Sequence, residues 1–237
     1  MAIGGCPCER RASVRVRAQT AARDTPGDEH IDYIDDQEPT ARLRTVLAPQ
    51  AIRVRDAATL GDSAAALAAL DEHRLLCARR EGPRGVRHWN RQVEHWLTED
   101  TGEPVWSPWY TGRPMLVTAN DYGLKLYNSD TGVAVVRDGT LRAVIAGTEG
   151  PVEFATSSLA DVETMHAMSI HKSQGSQAAV VTVLMPPEDS RLLTRELLYT
   201  AVTRAKTKVR VVGSEAEVRA ALARRVRRAG GLRQRLR

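Results

Sequence analysis

Two segments carry side chains whose types and spacing suit phosphate chemistry. The first is Met168-Ser-Ile-His-Lys-Ser-Gln-Gly-Ser-Gln177. It sets an imidazole, an ammonium, two amides and Gly175 directly behind an apolar strand signal. A strand-to-helix turn is expected there, with exposed backbone N–H groups and a helix N-terminus that attract anions. The second is Arg195-Glu-Leu-Leu-Tyr-Thr-Ala-Val-Thr-Arg-Ala-Lys206. Its spacing predicts a helix with Leu197, Leu198, Ala201, Val202 and Ala205 on one face and Arg204 on the polar side. One guanidinium offered by a rigid helix suits neutralisation of a transferring phosphoryl group. Taken singly, each segment also fits a polar loop or a solvated helix arginine. Their order along one chain is what makes them specific.

Other candidates are weaker. Cys6-Pro-Cys8 has only Cys77 as a further thiol, too few ligands for a four-coordinate zinc site, so no metal site is expected. His88 and His95 share a helix face without an intervening carboxylate. Asp71-Glu72-His73 resembles the acidic box of a nucleotide hydrolase, but it follows an Ala-rich helical stretch rather than an apolar strand. Asp28-Glu29-His30 follows Pro26-Gly27 and fails the same test. The lysines are Lys125, Lys172, Lys206 and Lys208, none preceded by glycine, so the sequence holds no phosphate loop ending in Gly-Lys-Ser/Thr.

These segments need a frame. The chain has 237 residues and 42% hydrophobic residues, enough for a real core. No run reaches the ~18 apolar residues of a membrane span, and no secretory signal is evident, so a reducing cytoplasmic setting without a membrane is expected. The net charge of +5 is uneven. Residues 219–237 hold eight arginines and no acid, residues 1–23 hold five arginines against one acid, and the stretch between them carries −7. A basic end can bind nucleic acid without sequence preference, though a solvated tail is the commoner case.

Ile31–Ile34 predicts a strand, followed by a short helix through Leu43 and Leu47. Ala51–Leu60 and Ser63–Leu70 are helical, the second capped at Asp62-Ser63. Leu75–Ala78 fits a buried strand. Trp89, Val93, Trp96 and Leu97 mark an amphipathic helix. Short strands are expected at Met115–Thr118, Leu124–Tyr127, Gly132–Val136, Leu141–Ile145 and Val152–Thr156, with turn chemistry at Asn128–Gly132 and Arg137-Asp-Gly139. Val180–Met185 and Lys208–Val212 are strands flanking the Arg204 helix. Ser214–Glu217 is a capping box opening a last helix that Gly230-Gly231 would end. Alternating strands and helices imply a parallel sheet.

Ile170-His-Lys-Ser-Gln-Gly-Ser176 and Leu198-Tyr-Thr-Ala-Val-Thr-Arg-Ala-Lys206 resemble motifs V and VI of RecD-type superfamily 1 helicases, the exodeoxyribonuclease V alpha subunits. Leu75–Val86 with Trp89-Asn90 is similar to the motif IV region of that family. Val117–Tyr122 and Leu126–Val133 are similar to its entry into an SH3-like insert. The resemblance runs from about Asp28 to Val212 and covers only the second RecA-like domain.

It implies an α/β fold: a RecA-like parallel sheet with a small antiparallel β, SH3-like insert. Residues 28–103 and 157–213 would form the RecA-like domain, 104–156 the insert, and 214–237 an Arg-rich helix and tail. Residues 1–27 do not resemble the family and are expected to be poorly ordered. The resemblance implies Arg204 as the arginine finger. Arg80, Gly175 and Gln177 would lie on the nucleotide side, and His171, Lys172 and Gln174 on single-stranded DNA. Gln177 stands where the family has glutamate. Thr164 and His166 lie beside motif V, and Thr203 and Lys206 flank the finger.

The implied cofactor is ATP with Mg²⁺, bound only with a complementing first domain. The implied partners are that domain, single-stranded DNA and RecB/RecC-type subunits. The implied function is the C-terminal motor half of an ATP-dependent helicase in recombinational DNA repair, without ATPase activity alone. A non-catalytic module binding DNA or a partner, or a truncated gene remnant, stays open at this point.

Overall fold

The computed structural model describes residues 30–147 and 150–226. Cys6, Cys8, Asp28-Glu29-His30 as a complete triplet, residues 1–27 and Gly230-Gly231 therefore lie wholly or partly outside the described residues.

Five strands form a parallel sheet in the order β1-β10-β9-β2-β8. They are β1 (Ile31–Ile34), β2 (His73–Cys77), β8 (Ala167–Ser169), β9 (Ala178–Leu184) and β10 (Ala205–Val212). Every residue of β2 is buried, as expected of a strand covered on both faces by helices. Leu43, Leu47, Trp89, Val93, Trp96 and Leu97 pack against Leu75, Cys77 and Leu184. Leu70, Ala66, Leu197, Leu198 and Ala201 belong to the core that includes Leu76, Val181 and Val183.

The helices are α1 (Thr40–Thr59), α2 (Ser63–Glu72), α3 (Val86–Thr101), α4 (Arg195–Val202) and α5 (Glu215–Ala223). The two segments expected around Leu43 and Ala51 are one helix, α1, with Pro49 inside it. A helix-interior proline costs ~3 kcal/mol. Leu43, Leu47 and Val54 are buried along one stripe that continues past it, and each such side chain stabilises by about 1.5–3 kcal/mol. The continuous apolar face outweighs the missing hydrogen bond. Asp62 caps α2 through Ala65 N, and Ser214 and Glu217 form the expected capping box at α5.

A second sheet is antiparallel, in the order β6-β5-β4-β3-β7. Its strands are β3 (Pro114–Val117), β4 (Thr131–Arg137), β5 (Thr140–Gly147), β6 (Gly150–Ala155) and β7 (Val162–Thr164). Asp138 and Gly139, both at positive φ, make the two-residue turn between β4 and β5. β7 pairs with β3, so this sheet reaches beyond residue 156 to the threshold of motif V. The strand expected at Leu124–Tyr127 is a turn instead, held by one bridge between Asp121 and Leu126. There the Asp121 carboxylate accepts from Leu124 N, and Lys125 takes a positive φ, local bonding that competes with a strand. The architecture is α/β, a parallel RecA-like sheet with a separate antiparallel sheet.

Candidate nucleotide and nucleic-acid faces

The motif V segment leaves β8 at the carboxyl edge of the parallel sheet, where Ile170 N donates to Cys77 O. It returns to the amino edge at Ala178, whose N–H donates to Arg204 O. The two edges are ~20 Å apart, from the six steps of β9 at about 3.3 Å each. The expected helix after the strand is absent. Residues 170–175 form consecutive turns, and β9 follows directly. Ser173 is buried and closes the turn by donating from Oγ to Ile170 O at 2.7 Å, while Ser173 O accepts from Ser176 N at 3.1 Å. These local bonds occupy the backbone differently from a helix. The anion-binding argument therefore loses its helix N-terminus and keeps only exposed turn N–H groups. Gly175 has φ +91 and nothing within 4 Å of an added Cβ. Its N–H and that of Gln177 donate no hydrogen bond within the described residues.

Arg204 is not on the helix. α4 ends at Val202, with Thr203 as its C-cap, and Arg204 lies in the turn before β10. Its guanidinium folds back over the helix end. Nε donates to Thr200 O at 3.2 Å, Nη1 to Ser176 O at 3.4 Å, and Nη2 to Thr203 Oγ1 at 3.3 Å. All three acceptors are neutral, and no described carboxylate pairs with it. Gln177 Nε2 reaches Thr203 O at 3.5 Å. Ser176 and Gln177 thus meet the Thr203-Arg204 turn at the amino edge, directly after Gly175 in the chain.

Arg80 does not join them. It follows β2 at the carboxyl edge, in a loop where Gly85 backs so closely on Glu81 that an added Cβ would sit 2.5 Å from its carbonyl carbon. Arg80 Nη2 pairs with Glu163 Oε1 at 2.6 Å, and Lys172 Nζ pairs with Glu163 Oε2 at 3.0 Å. Partial burial raises the Glu163 pKa, but Lys172 and Arg80 outweigh it and hold the carboxyl below its usual range. His171 and Gln174 are exposed beside Lys172. The structure therefore groups Arg80 with His171, Lys172 and Gln174.

Asn90 of the motif IV match helps to position this turn, together with Arg113, Tyr110 and Glu163, which carry no chemical signal in the sequence. Asn90 on α3 donates to Thr164 O at 2.8 Å and accepts from Ala167 N at 2.7 Å, pinning both sides of the entry to motif V. Arg113 Nε donates to Thr164 Oγ1 at 3.0 Å. Tyr110 OH donates to Glu94 at 3.2 Å and lies 2.9 Å from His166 Nε2. Burial, then the Arg113 charge, push His166 down to about 3. Glu163 lies between turn signals with no pattern of its own, so only the pairing of β7 with β3 reveals it. Cys77 is buried, and burial pushes its thiol up. His88 and His95 are exposed on α3. Among the described residues there is no group of three His, Cys, Asp or Glu that could hold a metal ion.

The chain is similar to several helicase proteins along most of its length. The family described as UvrD-like helicase C-terminal domain matches residues 164–212, the stretch holding both motifs. The RecBCD enzyme subunit RecD of Mycobacterium tuberculosis is 69% identical over 210 residues, covering 89% of this chain and 36% of that protein. The RecD subunit of Mycolicibacterium smegmatis is 68% identical, with 89% and 37% covered. The ATP-dependent RecD2 DNA helicase of Deinococcus radiodurans is 27% identical over 155 residues, 63% of this chain and 21% of that protein. A solved Bacteroides Pif1 helicase structure superposes with a TM-score of 0.40 at 12% identity, over 85% of this chain and 54% of that one, too loosely to place any residue. The chain spans little more than a third of the length of the mycobacterial relatives. By the sequence matches, the chain belongs to the RecD-type superfamily 1 helicases, whose C-terminal domain it represents.

Proposed function

We propose that this chain is the C-terminal motor half of an ATP-dependent RecD-like DNA helicase acting in recombinational repair in the cytoplasm. It would work with a domain or subunit that supplies the phosphate loop, on single-stranded DNA, alongside RecB/RecC-type subunits. The observation that carries the reading is Arg204: a guanidinium tethered by neutral acceptors to the turn that holds Gly175. Its full charge is left available to an anion arriving at the amino edge.

The residues there fit the triphosphate end of ATP. Arg204 would meet phosphoryl oxygens, and the free N–H groups of Gly175 and Gln177 would donate to an anion. Bound ATP would supply the phosphoryl transfer that drives translocation. Arg204 lowers the barrier only insofar as it binds the developing charge more strongly than the ground state. Mg²⁺ ligands would have to come from the complementing domain. At the carboxyl edge, His171, Lys172 and Gln174 offer donors to DNA phosphates and base edges. The segment between residues 170 and 178 joins the two edges, and would carry a shift at one to the backbone at the other.

The test supplies a family first domain in cis or in trans. Arg204→Ala should lower ATP turnover on the order of 10³–10⁵-fold while leaving oligonucleotide affinity within about twofold. Arg204→Lys should not restore turnover, because an ammonium lacks the planar fork. Near-normal turnover in both variants would remove the reading.

A further inference from the structure

Three segments converge on one carboxylate: the loop after β2 through Arg80, the motif V turn through Lys172, and β7 through Glu163. Each carboxylate oxygen takes one cation. We propose that Glu163 is an internal stand-in for a DNA phosphate. It occupies Arg80 and Lys172 when no strand is bound, and a phosphodiester of single-stranded DNA displaces it, which makes Arg80 a DNA-backbone contact. The inference rests on the reading above that the carboxyl edge faces DNA.

The contrast with a neighbouring ion pair supports it. Arg84 and Glu217 are 2.5 Å apart with side chains 17% and 8% exposed, and Arg84 also donates to Met185 O and Gln37 O. That pair is a fixed staple between the loop and α5. The Arg80 guanidinium has no partner but Glu163 among the described residues, and the two side chains are 52% and 44% exposed. Exposed pairs are worth little, so an incoming phosphate can exchange with this one at small cost. The two non-bridging oxygens of a phosphodiester present the same spacing of charge that the carboxylate presents to the two cations. The backbone beside Glu163 stays in place during the exchange, because Thr164 is held by Asn90, Arg113 and the β3 pairing. Only the Glu163 side chain has to swing away.

The experiment measures affinity of the full chain for a fluorescein-labelled oligothymidine by anisotropy at fixed salt, with a thermal melt of each variant. Glu163→Gln should bind about fivefold tighter, the ratio corresponding to one exposed ion pair. Asp32→Asn removes the same charge beside Lys208 and Arg210 on the far strands and should change affinity less than about twofold at moderate salt, where distant charges are screened. The gain from Glu163→Gln should vanish when Arg80 and Lys172 are both alanine. Should the amide variant not fold, Glu163→Asp, which shortens the reach and keeps the net charge, should still bind tighter than the parent. Unchanged or weaker binding in whichever of these folds overturns the proposal, as does an equal gain in Asp32→Asn. If Arg80→Ala and Lys172→Ala each weaken binding while Glu163→Gln gives no gain, only the stand-in fails. If neither weakens binding, the DNA-facing reading of this edge fails with it.

Discussion

Mild acid should destabilise this fold through two histidines. His73 donates or accepts at 2.8 Å to the buried Thr182 hydroxyl, and burial, then Arg210, Arg74 and Arg53, push it down to about 3. His166, stacked on Tyr110, is likewise held near 3. Both ionise near 6.5 when unfolded. The unfolded chain therefore binds more protons across the window from 6.5 down to about 3. Stability is fully present above 6.5 and is lost progressively as pH falls through that window. At pH 5 each histidine removes about 2 kcal/mol relative to pH 7, and the pair about 4 kcal/mol. That is a large part of the 5–15 kcal/mol typical of a domain. Glu94, raised by burial, takes up a proton in the folded state and opposes the trend, so variants isolate the effect better than one profile. The assay is urea unfolding followed by tryptophan fluorescence at pH 7, 6 and 5, with Trp89 and Trp96 as buried reporters. His73→Gln and His166→Gln should each reduce the loss between pH 7 and pH 5 by about half. A loss at pH 5 below about 1 kcal/mol, or one that neither substitution reduces, would refute the reasoning.

Two further outcomes follow from the same geometry. Asn90→Ala leaves Thr164 O and Ala167 N without their partner, and should lower stability by about 1–3 kcal/mol, measured by urea titration at pH 7. Cutting after Val226 removes five arginines beyond α5 while sparing the contacts of Arg224 and Val226 with Ser190 and Glu196. Oligonucleotide affinity should fall and its salt dependence flatten. Unchanged affinity and slope would assign the binding to the motif V face.

Much of this protein was legible in the sequence wherever period and caps decide structure. The stripe of Trp89, Val93, Trp96 and Leu97 fixes α3 because it repeats at the helical period. Ser214 and Glu217 fix the start of α5 by bonding to each other's backbone. Asp138-Gly139 fixes a hairpin because its turn needs positive φ. The two motif segments were legible as letters. Their geometry was not. Local propensity placed Arg204 on the helix, whereas β10 begins two residues after the C-cap. Hydrogen bonds from Ser173 and Ser176 shape the motif V turn without a helix. The helical segments around Leu47 and Ala51 are continuous through Pro49, because burial of Leu43, Leu47 and Val54 outweighs the missing hydrogen bond. Arg80 is separated from Arg204 because the strands run parallel: Arg80 follows the end of β2, and Arg204 precedes the start of β10. The pairing of Arg80 and Lys172 on Glu163 joins residues 83 and 9 positions apart, and it forms only because β7 pairs with β3 in one sheet while β8 pairs with β2 in the other. Sequence patterns record which face of an element is apolar; which charged ends meet depends on how the sheets stack, and that is settled by long-range packing.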